Sequence, residues 1–310
     1  MDKIICVVGP TASGKTALAV ELAKATNGEV VSCDSMQIYR RLNIGTAKPT
    51  AEEMQGIPHH MIDICEPDEP FSVGRYVEMA TPIVEDILRR GKTCIIAGGT
   101  GLYVDNLIKG GEFAPTPATG CRERLEERLK CEGLEALAAE LQKIDPVALQ
   151  KSQNNPRRIL RALEVWQETG ETITAHNERT AAIAPKFDPL WIGTDYVNRQ
   201  DLYDRIDLRV ELMVKEGLLE EIREVLSSGI PEKATAMQAI GYKEFIDAMA
   251  GRSTIPEAIA QVQQSSRRYA KRQQTWFKRN EKIHWLLRQA GQPSEEIFSA
   301  ACQIANNFDK

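Results

Sequence analysis

Residues 4 to 8, IICVV, form a short β-branched run that stops at a glycine-rich turn, and from Lys15 the segment ALAVELAKA has helical period and composition. The order predicted is strand, loop, helix. Apolar runs of strand length recur at residues 30 to 33 (VVSC), 61 to 64 (MIDI) and 93 to 97 (TCIIA). Residues 72 to 90 read as a helix, with Ser72 as N-cap and Gly91 as stop. Continuous apolar strands alternating with helices imply an α/β fold, a parallel sheet covered on both faces.

After GGTGLYVDNLIKG the pattern changes. FAPTPATG (residues 113 to 120) is a connector punctuated by proline and glycine, and charged helical sequence without obvious strands follows it. A second connector, IAPKFDP (183 to 189), precedes the strand-like run LWIGT. This predicts an all-helical insertion over residues 113–186 and a discontinuous core over 1–112 and 187–310, which resumes with long helices and one further strand. The chain shows no internal repeat and no low-complexity segment.

Composition narrows the setting. With 310 residues, 42% hydrophobic and 27% charged, the chain can bury a substantial core. No apolar run approaches a membrane span, and the N-terminus lacks a secretory pattern, so the expected location is cytoplasmic. The seven cysteines form no CxxC pair and lie partly inside apolar runs, as thiols do in a reducing compartment. His59 and His60 adjoin without further ligands at metal spacing, which argues against a structural zinc. The net charge of -5 argues against wholesale attraction to nucleic acid, so clustering of basic residues matters more than the total.

Gly9, Pro10, Thr11, Ala12, Ser13, Gly14, Lys15 and Thr16 fit GxxxxGK[ST] directly after a strand and before a helix. Glycines let backbone amides converge on phosphate oxygens, the helix N-terminus adds positive partial charge, Lys15 adds a full charge, and the Thr16 hydroxyl can bind Mg2+. Such a loop identifies an anion and leaves the reaction open. Asp34, at the end of the second run, should lie beside it, because ligands bind at the carboxyl ends of parallel strands. A carboxylate there could ligate magnesium, act as general base, or merely cap a turn.

Two blocks concentrate positive charge. Asn155-Pro156-Arg157-Arg158-Ile159-Leu160-Arg161 opens a helix and groups three guanidinium ions. From Arg267 to Arg279 there are six basic residues and no acidic one; Arg268, Lys271, Arg272 and Thr275 share a helical face, and Tyr269, Trp276 and Phe277 interleave for packing or base stacking. The plain alternative for either block is a solvated surface. Gln37, Gln238 and Gln274 are candidate base readers.

GPTASGKT, DSMQIYRRLNIGTAKPT, GGTGLYV, NPRRILRALEV, AIGYKE and RRYAKRQQTWFKR, in that order, resemble the motifs of the tRNA dimethylallyltransferases over about residues 3 to 286. The resemblance implies a P-loop NTPase-like core whose loop holds the diphosphate of dimethylallyl diphosphate with Mg2+ on Thr16. It implies Asp34 as general base toward the N6 amine of a flipped adenosine beside the anticodon, Thr100 at the target nucleotide, and Arg205, or less favoured Arg209, at the diphosphate. Glycines beside Thr100 would let backbone approach the ligand. Contacts to the tRNA anticodon stem-loop fall on Asp34, Ser35, Met36, Gln37, Thr100, Arg122, Arg157, Arg158, Ile159, Leu160, Arg161, Gly241, Tyr242, Lys243, Arg268, Lys271, Arg272 and Gln274. No membrane and no obligate protein partner are expected. The rival readings are a small-molecule or nucleoside kinase using ATP, and a non-catalytic RNA-binding module with a vestigial phosphate loop.

Overall fold

A computed structural model of the chain describes residues 1–110, 113 and 119–308. Its contacts divide the chain into two compact units, Met1–Gly110 together with the chain from Lys186, and Gly111–Pro185.

The first unit opens with β1 (Asp2–Val8), α1 (Lys15–Ala25), β2 (Gly28–Ser32), the single turn α2 (Ala51–Met54), β3 (His59–His60), α3 (Val73–Arg89), β4 (Thr93–Gly98) and α4 (Gly101–Lys109). Ile4 through Val8 are all buried, as a strand covered on both faces requires. The Ser72 side chain caps α3 by accepting the Arg75 amide at 3.2 Å, and Gly91 follows its end with φ 69°. MIDI is not a strand. Met61 and Asp63 adopt left-handed φ of 62° and 55°, which breaks extended pairing, and the Ile64 amide instead donates to the Ile38 carbonyl. The pairing falls two residues earlier, with His59 and His60 beside Val30 and Val31.

In the second unit the described residues form only helices: α5 (Cys121–Ile144), α6 (Pro146–Ser152), α7 (Pro156–Thr169) and α8 (Ile173–Ala181). Most of the FAPTPATG connector lies outside the described residues. Asn155 caps α7 by accepting the Arg157 amide at 3.0 Å, with Pro156 in the first turn where its missing N–H costs nothing. Leu125, Leu137, Leu141, Ile159 and Leu163 build this unit's own core.

The first unit resumes with β5 (Phe187–Tyr196), α9 (Arg199–Lys215), α10 (Leu218–Ser227), α11 (Tyr242–Met249), α12 (Ile255–Phe277), β6 (His284–Arg288) and α13 (Ser294–Phe308). The strand order is β3-β2-β4-β1-β5-β6, and every pairing is parallel. β5 runs longer than LWIGT and contains Pro189. The proline is tolerated because β6 pairs β5 only from Ile192 onward, leaving that edge open beside it. Two apolar clusters fix the layers. Leu18 and Leu22 of α1 pack with Ala301 and Ala305 of α13 on one face, and α10, α11 and α12 enclose Leu218, Tyr242, Phe245 and Val262 elsewhere. Each large apolar side chain, once buried, contributes about 1.5–3 kcal/mol, and α13 adds its own apolar stripe to the first of these clusters, so it is an integral layer of the unit. No helix among the described residues is long and apolar enough to cross a membrane.

Candidate active site at the carboxyl end of the sheet

The loop between β1 and α1 is braced by its own chain. The Ser13 hydroxyl donates to the Pro10 carbonyl at 2.9 Å and shares a hydrogen bond with the Thr194 hydroxyl of β5 at 2.7 Å. Gly14, at φ 91°, is the N-cap residue of α1 and offers no side chain to its first-turn amides, which remain available to an anion. The Lys15 ammonium donates to the Pro10 carbonyl at 2.6 Å. Burial lowers its pKa to about 8, with Asp34 raising it and Arg209 lowering it further.

Two chambers meet at Lys15, Thr16, Ala47 and Arg209. The wider, about 550 Å³, is walled by Ile44, Lys48, Arg205, Leu208, Leu212 and Met213 among others. The narrower, about 90 Å³, gathers Thr11, Asp34, Gln37, Tyr269 and Gln273 around the same cations. Asp34 accepts the Met36 amide on Oδ1 at 2.8 Å, which leaves Oδ2 for a ligand proton. The Thr100 hydroxyl accepts the Ser35 amide at 3.1 Å, so the ends of β2 and β4 are joined beside that carboxylate. Tyr269, held up at about 12 chiefly by burial and then by Asp34, interacts through its side chain with Thr100 and Gln273.

Among the described residues no three His, Cys, Asp or Glu side chains converge as a metal site. Thr16 and Asp34 nonetheless line one chamber. A hydroxyl and a carboxylate beside bound phosphate oxygens are the hard oxygen donors that suit Mg2+.

Several sequence expectations move. Arg209, not Arg205, reaches the phosphate loop, donating from Nη1 to the Thr11 hydroxyl at 3.4 Å, and burial lowers its pKa; Arg205 is exposed and walls only the wider chamber. Ile159 and Leu160 point into the helical unit's core, because the α7 face they share is its apolar face. Gly241 and Tyr242 are also buried, and the Tyr242 hydroxyl donates to Glu221 at 2.7 Å. Gln274 donates to both carboxylate oxygens of Asp195, at 3.0 and 2.8 Å, and Gln37 donates to the Ala47 carbonyl and accepts from the Ser32 hydroxyl while lining the narrower chamber. Gln238 donates to the Glu232 carbonyl. Arg122 forms an ion pair with Glu126 at 3.0 Å, and Arg161 one with Glu164 at 2.8 Å.

The glycines flanking Thr100 admit protein and not only ligand: a side chain on Gly99 would collide with Gln273, and one on Gly101 with Trp276. Trp276 donates to Asp105 at 3.0 Å, and Phe277 is buried, which makes both packing residues. Arg157, Arg158, Lys243, Arg268, Lys271 and Arg272 are exposed. Arg209, Gln273 and Glu221 carry much of the geometry. Of these the sequence singles out only Arg209, as second choice.

The family described as IPP transferase matches residues 37–280, and that described as isopentenyl transferase matches residues 2–68. The chain is 43% identical over 299 residues to the tRNA dimethylallyltransferase of Acetivibrio thermocellus, covering 96% of this chain and 95% of the relative. It is 46% identical over 288 residues to that of Thermoanaerobacter pseudethanolicus, covering 92% and 91%. Among solved structures it resembles the tRNA isopentenylpyrophosphate transferase of Bacillus halodurans, with TM-score 0.75, 41% identity, and 100% and 97% of the two chains covered. It also resembles a eukaryotic dimethylallyltransferase acting on tRNA, with TM-score 0.82, 28% identity, and 99% and 80% covered.

Proposed function

The chain belongs to the tRNA dimethylallyltransferase family, and from that premise we propose that it transfers the dimethylallyl group of dimethylallyl diphosphate to N6 of the adenosine 3′-adjacent to the anticodon, in the cytoplasm. One observation carries the assignment of roles: a single chamber gathers a carboxylate, Asp34, with Lys15, Arg209 and the hydroxyl of Thr16.

The reaction breaks the bond between C1 and oxygen of the donor and forms one between C1 and N6, while a proton leaves the amine. That amine is a weak nucleophile because its lone pair is delocalised into the ring. Asp34 would accept its proton as the new bond forms, raising its reactivity. The departing diphosphate would be met by the free amides of α1, Lys15 and Arg209. Through its hydroxyl Thr16 would hold Mg2+, which when bound supplies charge neutralisation on that leaving group. Thr100 would support the target nucleotide through its bond to the Ser35 amide, and Tyr269 offers an aromatic surface to the base in the same chamber.

The exposed Arg268, Lys271 and Arg272 of α12 and, separately, Arg157 and Arg158 of the helical unit would take tRNA phosphates. Unstacking a loop base costs only a few kcal/mol, so an anticodon loop is a suitable substrate.

The experiment supplies unmodified tRNA, Mg2+ and either dimethylallyl diphosphate or ATP, then digests the tRNA for mass spectrometry. N6-prenylated adenosine with the prenyl donor alone is expected; phosphate transfer from ATP without prenylation would transfer the site to kinase chemistry.

A further inference from the structure

Gln273 lies on α12 with only 5% of its surface exposed, and its amide is divided between two loops. Oε1 accepts the Thr11 amide of the phosphate loop at 2.8 Å, and Nε2 donates to the Gly99 carbonyl after β4 at 3.0 Å. The absence of a side chain on Gly99 is what admits Nε2. Thr11 in turn accepts Arg209 through its hydroxyl. Gln273, Thr11 and Arg209 all line the narrow chamber with Asp34 and Lys15.

We propose that Gln273 is a positioning residue for the diphosphate, holding Thr11 and through it Arg209 where the leaving group must be met. The inference rests on the prenyl-transfer reading of this site. The position needs an acceptor toward Thr11 and a donor toward Gly99 from one buried side chain, which an amide supplies and a carboxylate or hydrocarbon does not. Gln274, one residue on, is bound to Asp195 of β5 and fixes the rotation of α12, so that Gln273 is presented to the loop. Exposed Arg268, Lys271 and Arg272 belong to the same helix but touch neither loop in this way. The effect of Gln273 should therefore appear on the diphosphate side of the reaction and not on the RNA side.

The test titrates the full chain, with Mg2+, against inorganic pyrophosphate and separately against an anticodon stem-loop RNA. Gln273→Leu is expected to weaken pyrophosphate about tenfold, the scale of a lost buried hydrogen bond, and to lower turnover comparably, with RNA affinity changed less than about twofold. Arg209→Gln also weakens pyrophosphate, and the double variant is expected to be no worse than Arg209→Gln within about twofold, since residues acting through one another are not additive. Unchanged pyrophosphate affinity in Gln273→Leu, or losses that multiply in the double variant, overturns the proposal. If Gln273→Leu does not fold, Gln273→Met, which keeps a similar length and volume, adds no charge and has no amide for Thr11 or Gly99, enters the same cycle. A wild-type chain that forms no prenylated adenosine sinks the reaction assignment instead, and the pyrophosphate cycle is read independently of it.

Discussion

The Ser35 amide donates to the Thr100 hydroxyl at 3.1 Å, and this bond joins the loop after β2 to the loop after β4 on the flank of Asp34. Thr100 thereby contributes geometry whatever else it touches. We predict that Thr100→Val, which keeps the shape and removes the acceptor, lowers kcat by about tenfold, whereas Thr100→Ser stays near wild type. Steady-state kinetics with saturating donor decide it; equal losses in both variants would point to the methyl group instead.

Asp34→Asn should leave donor and tRNA affinity intact and reduce turnover by roughly 10²–10⁴-fold, the usual contribution of a positioned base. Single-turnover rates alongside binding isotherms separate the two quantities. Turnover near wild type would remove Asp34 from proton transfer.

The lowered pKa of Lys15, about 8 against an ordinary 10.5, sets a pH window. As pH rises through 8 the cation is lost and with it attraction for diphosphate, so donor affinity should fall between about pH 8 and 9.5. Stability moves the other way: between 8 and 10.5 the unfolded chain binds more protons at this residue than the folded one, so the Lys15 contribution rises with pH there. Equilibrium binding of dimethylallyl diphosphate from about pH 6.5 to 9.5 tests the first claim, and a flat profile contradicts it.

Neutralising Arg268 and Lys271, or Arg157 and Arg158, should weaken tRNA binding and reduce its salt slope by about 0.7–0.9 for each phosphate that the protein no longer neutralises. Filter binding across salt concentrations measures the slope. An unchanged slope would exclude that pair from the docking surface.

Glu221 accepts the Asn43 and Ile44 amides at 2.8 Å each and the Gly45 amide at 3.2 Å, besides the Tyr242 hydroxyl. Tyr242→Phe should cost about 1–3 kcal/mol, because Glu221 is then left short of a buried partner. Urea unfolding gives the figure. If tRNA affinity fell while stability held, Tyr242 would be bound to the RNA and not a brace.

The parts of this molecule legible in the sequence are those determined by neighbours along the chain. The strand-loop-helix of residues 2–25, the Ser72 cap and the Asn155-Pro156 start all follow from local chemistry. MIDI misleads because an apolar tetrapeptide has strand composition whether or not its backbone is extended, and Met61 and Asp63 are not. Gln274 looks like a base reader, and Gln273 attracts no notice, because the roles of two adjacent glutamines are set by about 100° of helix rotation. That rotation is fixed by Asp195, far away in sequence. AIGYKE is visible as a motif, but its partner Glu221 lies in a different helix and has no pattern of its own. Arg205 and Arg209 stand one helical turn apart, and only the packing of α9 against the phosphate loop separates them.

β1 is flanked by β4 and β5, and β5 begins only at Phe187, after the whole helical unit has been made. On a ribosome adding about 5–20 residues per second, one edge of this apolar strand waits on the order of 5–20 s between the end of β4 and the arrival of its second neighbour. The helical unit, having a core of its own, can form during that interval. An unpaired parallel edge is an invitation to aggregate, so the nascent chain is most vulnerable then, and shortening the 111–185 unit would be expected to ease its production even where it abolished its use.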